Sequence, residues 1–177
     1  MLPRLPIIGV IGSGSDPQVA RAGIIGRLLA EEGVHLLTGG GGGCMAEVAR
    51  AFTSTGPQRL GRSIGILPGS VEDGSALAPD GYPNPWIEIS IPTHLPLSGI
   101  TGTSTLSRNH INVLASRAII ALGGGAGTCS EVHLARSYRK PILAFLPDWR
   151  LIEGLDFPIT TTEDEGVVRA FVRKWAR

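Results

Sequence analysis

The sequence predicts a single α/β domain built on a doubly wound, mainly parallel sheet with helices on both faces. Short β-branched apolar runs alternate with longer segments whose apolar residues recur at helical spacing. Glycine clusters stand at three of the strand-to-helix junctions. The chain is 42% hydrophobic but only 5% aromatic, with 25 glycines, so its core must come from Val, Ile, Leu and Ala, which suits a parallel sheet covered on both sides. A length of 177 residues fits one domain, expected to span 1–177.

Ile7–Ile11, bounded by Pro6 and Gly12, reads as a buried first strand. It feeds the loop Gly12-Ser13-Gly14-Ser15-Asp16. With Asp16 as N-cap and Pro17 at the first helical position, a helix is expected to follow, carrying Val19, Ala22, Ile25, Leu28 and Leu29 and stopping near Gly33. Val34–Thr38 is the second strand, and five glycines, Gly39 to Gly43, separate it from a helical pattern that resumes at Cys44-Met45. Ser63–Leu67 is a third strand, closed by Pro68-Gly69. From there to about residue 86 the chain is rich in Pro, Gly, Asp and Ser without periodicity and reads as irregular.

Trp86–Ile91 is a candidate strand, and the polar segment Thr93–Thr105 leads into a helix over about Leu106–Ser116. Ala118–Leu122 is a strand, followed by Gly123-Gly124-Gly125-Ala126-Gly127-Thr128 and a helix from about Cys129 to Tyr138. Pro141–Leu146 supplies the next strand. A weak strand at Phe157–Thr160 precedes a C-terminal helix. In such a sheet ligands bind outside the carboxyl ends of the strands, so the three glycine loops are expected on one edge.

Composition removes several function classes. Sixteen Lys and Arg against fifteen Asp and Glu leave no global field to draw nucleic acid or an anionic membrane, so any anion site must be local. The two cysteines, Cys44 and Cys129, form no CxxC pair or disulfide framework, which suits a reducing compartment. The N-terminal apolar run is short and broken by proline, unlike a signal peptide or membrane span, and the expected location is the cytoplasm. The histidines, His35, His94, His110 and His133, show no ligand spacing, so no metal site is expected. His94 stands in the irregular segment as a candidate ligand contact.

The glycine loops point to a phosphate. A helix N-terminus offers unpaired amides and the positive end of the helix dipole, and glycine lets ligand oxygens approach the backbone. Residues 12–16 lack the third glycine of a dinucleotide fingerprint and the acidic residue about twenty positions on, which disfavours NAD. No Lys-Ser or Lys-Thr pair follows any loop, which disfavours ATP hydrolysis. The bland reading of any one loop is a tight turn for close helix packing.

Within these segments Gly12, Ser13, Gly14 and Ser15, then Gly39, Gly40, Gly41, Gly42, Gly43, Cys44 and Met45, then Gly124, Gly125, Ala126, Gly127 and Thr128 are the candidate ligand-binding residues, with Ser13 and Ser15 as phosphate-binding hydroxyls. Arg108, beside Asn109, can clamp a phosphate through its planar fork, or sit solvated on a helix face. Glu131 follows Thr128 by three residues. It either faces a ribose or pterin-like hydroxyl or amine, or closes a Thr-x-x-Glu capping box. Both cysteines read as small packing residues rather than reactive thiols. No Gly-x-Ser-x-Gly turn supports acyl-transfer hydrolysis.

Over nearly the whole chain, Pro6–Gly12, Leu37–Gly40, Gly43–Met45, Ile64–Gly69, Arg108–Asn112 and Gly124–Val132 resemble the molybdenum cofactor carrier protein family. Residues 123–131 also look like the Pro-Gly-Gly-x-Gly-Thr-x-x-Glu signature of the Lonely Guy phosphoribohydrolases in the same superfamily, with Gly123 in place of the leading proline. The carrier resemblance implies a Rossmann-like homo-oligomer, a dimer or tetramer, that binds and protects molybdenum cofactor without turnover. The hydrolase resemblance implies a nucleoside 5′-monophosphate phosphoribohydrolase with Arg108 and Glu131 as the catalytic pair. Asn109 stands where the hydrolases carry a Lys, and Ser130 where a second acidic residue is common. A nucleotide-sensing domain without turnover is a third reading. The stretch Ser70–Thr103 is long and proline-rich for a carrier and is expected to cover the pocket, alter the ligand or support subunit contacts.

Overall fold

The structure, a computed structural model, describes residues 4–70 and 75–176. The first three residues of the N-terminal run and residues 71–74 of the irregular stretch lie outside the described residues. Seven parallel strands form one sheet in the order β4-β3-β2-β1-β5-β6-β7. They are β1 (Ile7–Ile11), β2 (His35–Thr38), β3 (Ser63–Leu67), β4 (Ile89–Pro92), β5 (Ala118–Ala121), β6 (Ile142–Phe145) and β7 (Thr161–Thr162). The helices are α1 (Val19–Glu31), α2 (Gly43–Thr53), α3 (Asn109–Ala115), α4 (Ala126–Ser137) and α5 (Glu165–Trp175). This is the Rossmann-like α/β architecture expected from the alternation of apolar runs and helical segments.

Side chains of each strand alternate between the faces. Ile8 and Val10 of β1, with Ala118 and Ile120 of β5 and Leu143 and Phe145 of β6, pack under α1, α2 and α5. Ile11, Ile119, Ala121 and Ala144 point the other way, against Val113 of α3 and Val132 and Ala135 of α4. With both faces covered, the central strands read as continuous apolar runs, and β3 and β5 are buried along their whole length. The α1–α2 contact depends on Gly26, where a Cβ would stand 2.5 Å from the Val48 carbonyl oxygen and 2.7 Å from the Ala51 methyl.

Several boundaries differ from expectation. Asp16 does not cap α1: its Oδ1 accepts from the amide of Gln18, which has φ 44° and directly precedes the helix, so Pro17 lies outside. α3 starts at Asn109, after a turn in which the Ser107 hydroxyl accepts the Asn109 amide, and Leu106 is exposed. α4 starts three residues earlier than expected, at Ala126, because the non-helical Gly125 (φ −96°, ψ −147°) is its N-cap. The strand expected at Phe157–Thr160 forms instead at Thr161–Thr162, because Phe157 and Ile159 cover the α3–α4 side of the core. β4 lies three residues later at its start than Trp86, because the amides of Trp86 and Ile87 turn back onto Asn84, to its Oδ1 and its carbonyl. No helix among the described residues is long and apolar enough to cross a membrane.

Candidate functional site: a cleft at the sheet switch point

β1 is followed by a crossover to β2 on one side and β5 by a crossover to β6 on the other, so the chains leaving their carboxyl ends diverge. A crevice opens between them, as this topology requires. The loops on its rim are tied together through the backbone. The Ser13 amide donates to the Gly123 carbonyl at 2.9 Å, and the Cys44 amide donates to the Ser13 carbonyl at 2.9 Å. Gln18 adds a side-chain tie: its Nε2 donates to the Gly123 carbonyl at 2.7 Å and its Oε1 accepts the Gly123 amide at 3.1 Å.

The cleft holds about 370 Å³. Gly12, Ser13, Gly14 and Ser15 form one wall, with Met45 of α2 beside them. Gly125, Ala126, Gly127 and Thr128, the N-cap and first turn of α4, form the opposite wall. No side chain caps α4, so its first amides are available to a ligand carrying negative charge. Ser13 Oγ accepts from the amides of Ser15 (3.2 Å) and Asp16 (2.9 Å), which holds the loop shape and leaves the hydroxyl proton to donate.

Arg108 and Asn109 line the same cleft. Arg108 is only 5% exposed, yet among the described residues no carboxylate lies within salt-bridge distance of it. Its Nη1 donates to Asn109 Oδ1 at 3.2 Å, and its Nε is buried without a partner. Burying a guanidinium in this way costs several kcal/mol unless an anion joins it. Asn109 therefore orients the arginine without neutralising it.

Glu131 also lines the cleft, on the second turn of α4. Gly125, not Thr128, is the N-cap, so the capping box does not form. Asn112 Nδ2 donates to Glu131 Oε1 at 2.9 Å. Burial pushes the Glu131 carboxyl above the usual carboxylate range, against the opposing pull of the Arg108 charge and the Asn112 hydrogen bond. Asn112 was legible only as part of the Arg-Asn-x-x-Asn run.

Gly39–Gly43 lie behind the cleft instead of on its wall. A Cβ on Gly39 would stand 2.5 Å from both terminal nitrogens of Arg108, one on Gly40 2.6 Å from Leu67, and one on Gly41 2.7 Å from the Tyr82 ring. Gly43, with φ 57°, packs on the backbone of Ser13 and Gly14. These glycines let the arginine, the tyrosine and the first loop come close. Gly42 is exposed, and Gly124 supports the first loop, a Cβ there standing 2.9 Å from the Ser13 amide. Cys44 packs its sulfur under Gly12, and burial pushes its thiol up to about 12. Cys129 is half-buried, its thiol also raised by burial. His94 is exposed and does not line the cleft. Tyr82, Ser98 and Gly99 do line it, and no sequence motif announced them.

Residues 5–169 match the model of the SLOG cluster4 family. The chain belongs to the SLOG cluster4 family. An uncharacterized protein of Archaeoglobus fulgidus is 33% identical over 154 residues, covering 86% of this chain and 87% of its own. Among solved structures, this SLOG cluster4 chain is similar to the molybdenum cofactor binding protein of the phototrophic bacterium Rippkaea orientalis, with 29% identity, 97% of each chain covered and a TM-score of 0.74. It is also similar to the Moco carrier protein of Chlamydomonas reinhardtii, with 30% identity over 97% of this chain and 98% of that one and a TM-score of 0.69.

Proposed function

We propose that the cleft binds a phosphorylated pterin of the molybdenum cofactor type and releases it unchanged. The phosphate sits on the first-turn amides of α4 between Arg108 and the Ser13 hydroxyl. The observation that carries this reading is the buried Arg108 guanidinium with no carboxylate partner beside an uncapped helix N-terminus. An arriving anion satisfies both at once. The likeness to molybdenum cofactor binding and carrier proteins supports the choice of pterin. The homo-oligomer implied by that resemblance belongs to the same reading, and light scattering tests it.

A second reading is favoured by Glu131, which shares the cleft with Arg108. In that reading Arg108 holds the phosphate of a nucleoside monophosphate and Glu131 acts at the ribose while water attacks. One experiment separates the two. The protein is titrated anaerobically with molybdenum cofactor and, separately, incubated with nucleoside monophosphates while free base is followed by chromatography. Saturable cofactor binding that falls about tenfold or more in Arg108→Ala, without base release, is the expected result. Base release abolished by Glu131→Gln would make the protein a hydrolase.

A further inference from the structure

Beside the anion cleft lies a second compartment of about 610 Å³, outside the carboxyl end of β3. Tyr82 and Ser98 line both spaces and so form the partition between them. The second space differs in chemistry. Pro68, Leu77, Pro79 and Pro96 give it apolar walls, and Asp80 brings a carboxylate. Asp80 is exposed and takes no hydrogen bond or ion pair among the described residues.

The partition is held in place. Asn84 is buried, its backbone amide donating to the Gly40 carbonyl at 2.8 Å and its Nδ2 to the Gly41 carbonyl at 2.8 Å. The Tyr82 ring lies on Gly41, where any Cβ would displace it. The aromatic wall is thus fastened to the loop that also supports Arg108, so ring and guanidinium keep a set separation.

We propose that this compartment receives the ring end of the ligand: a planar amino-oxo-pyrimidine, the edge shared by pterins and guanine. The ring stacks on Tyr82, and Asp80 accepts from the ring N–H and exocyclic amine. Those two donors lie side by side and match the two oxygens of a carboxylate. A proline- and leucine-walled slot with one carboxylate selects a neutral heterocycle with adjacent donors over a second phosphate, which Asp80 repels. This assignment rests on the phosphate lying at Arg108.

The test uses inorganic phosphate, GMP and IMP, the last lacking the exocyclic amine, in calorimetric titrations of the whole protein. The wild type is expected to bind GMP at least tenfold more tightly than IMP, and IMP more tightly than phosphate. Asp80→Asn should erase the GMP-over-IMP preference while leaving phosphate within twofold. Tyr82→Ala should weaken both nucleotides about tenfold through the lost base stacking, and Tyr82→Phe should restore them. Equal affinity for GMP and IMP in the wild type overturns the ring assignment, as does a Tyr82→Ala variant that loses phosphate as strongly as nucleotide. A wild type that binds nucleotide without any dependence on Arg108 overturns the phosphate placement instead, so the two failures are distinguishable.

Discussion

The Arg108 guanidinium lies across Gly39, with both terminal nitrogens 2.5 Å from the point where a Cβ would stand. The first residue after β2 thus determines where the charge just ahead of α3 sits. Gly39→Ala is expected to push the guanidinium off its seat and weaken phosphate binding about tenfold. It should cost about 1–3 kcal/mol of stability, as overpacked sites do. Calorimetry with inorganic phosphate, paired with urea unfolding, checks both; unchanged affinity would show that the arginine's position is set elsewhere.

Glu131 is held above the usual carboxylate range by burial. A folded-state value raised above the ordinary 4.5 means that its contribution to stability is fully present below that value and is lost as pH rises through the folded value. Glu131→Gln keeps an oxygen to accept from Asn112 and carries no proton to lose. The variant is expected to fold, to match or exceed the wild type at neutral pH, and to show a flatter dependence of Tm on pH from 4 upward. A steep loss of folding at every pH would contradict the burial argument.

Two glycines of α1 make opposite predictions. Gly26→Ala drives a methyl into Val48 and Ala51 and is expected to cost about 1–3 kcal/mol. At Gly23 the nearest atom to a new Cβ is the tip of Arg27, at 3.3 Å, which can swing away. Gly23→Ala should therefore stabilise the helix by up to about 1 kcal/mol. The urea midpoints of the two variants should bracket that of the wild type.

Gln18→Ala removes both ties to Gly123 while keeping the left-handed backbone at position 18. A loss of about 1–3 kcal/mol is expected from the stranded Gly123 amide, while its carbonyl keeps the Ser13 amide. Hydrogen exchange of the Gly123 amide should accelerate beyond what the global stability change accounts for. No local acceleration would mean that backbone pairing alone holds the two loops.

Where a stretch of chain is decided by its own pattern, it was readable. Ile7–Ile11 and Ser63–Leu67 form strands at the expected residues, because each is a short β-branched run bounded by Gly or Pro. Thr161–Thr162 was not readable, since the more apolar Phe157 and Ile159 are used for covering the core and leave a weak dipeptide to pair. At the cleft, Arg108, Glu131 and the first turn of α4, each legible from a local motif, lie on one wall system. The role of Gly39–Gly43 was not evident, because a glycine that lines a ligand and a glycine that makes room for an arginine look identical in one dimension. Tyr82 comes from a segment without periodicity, and only its seat on Gly41 reveals its place.

The hold of Asn84 on Gly40 and Gly41 also partitions the molecule. It clamps the chain at Asn84 to the loop after β2, so a change of loop length before the clamp need not move that loop. Loop-closure cost grows only slowly with length, which makes such changes inexpensive. On the proposed assignment, the wall that reads the heterocycle and the seat that holds the phosphate are therefore separate parts of the structure, joined only where Tyr82 and Ser98 line both spaces.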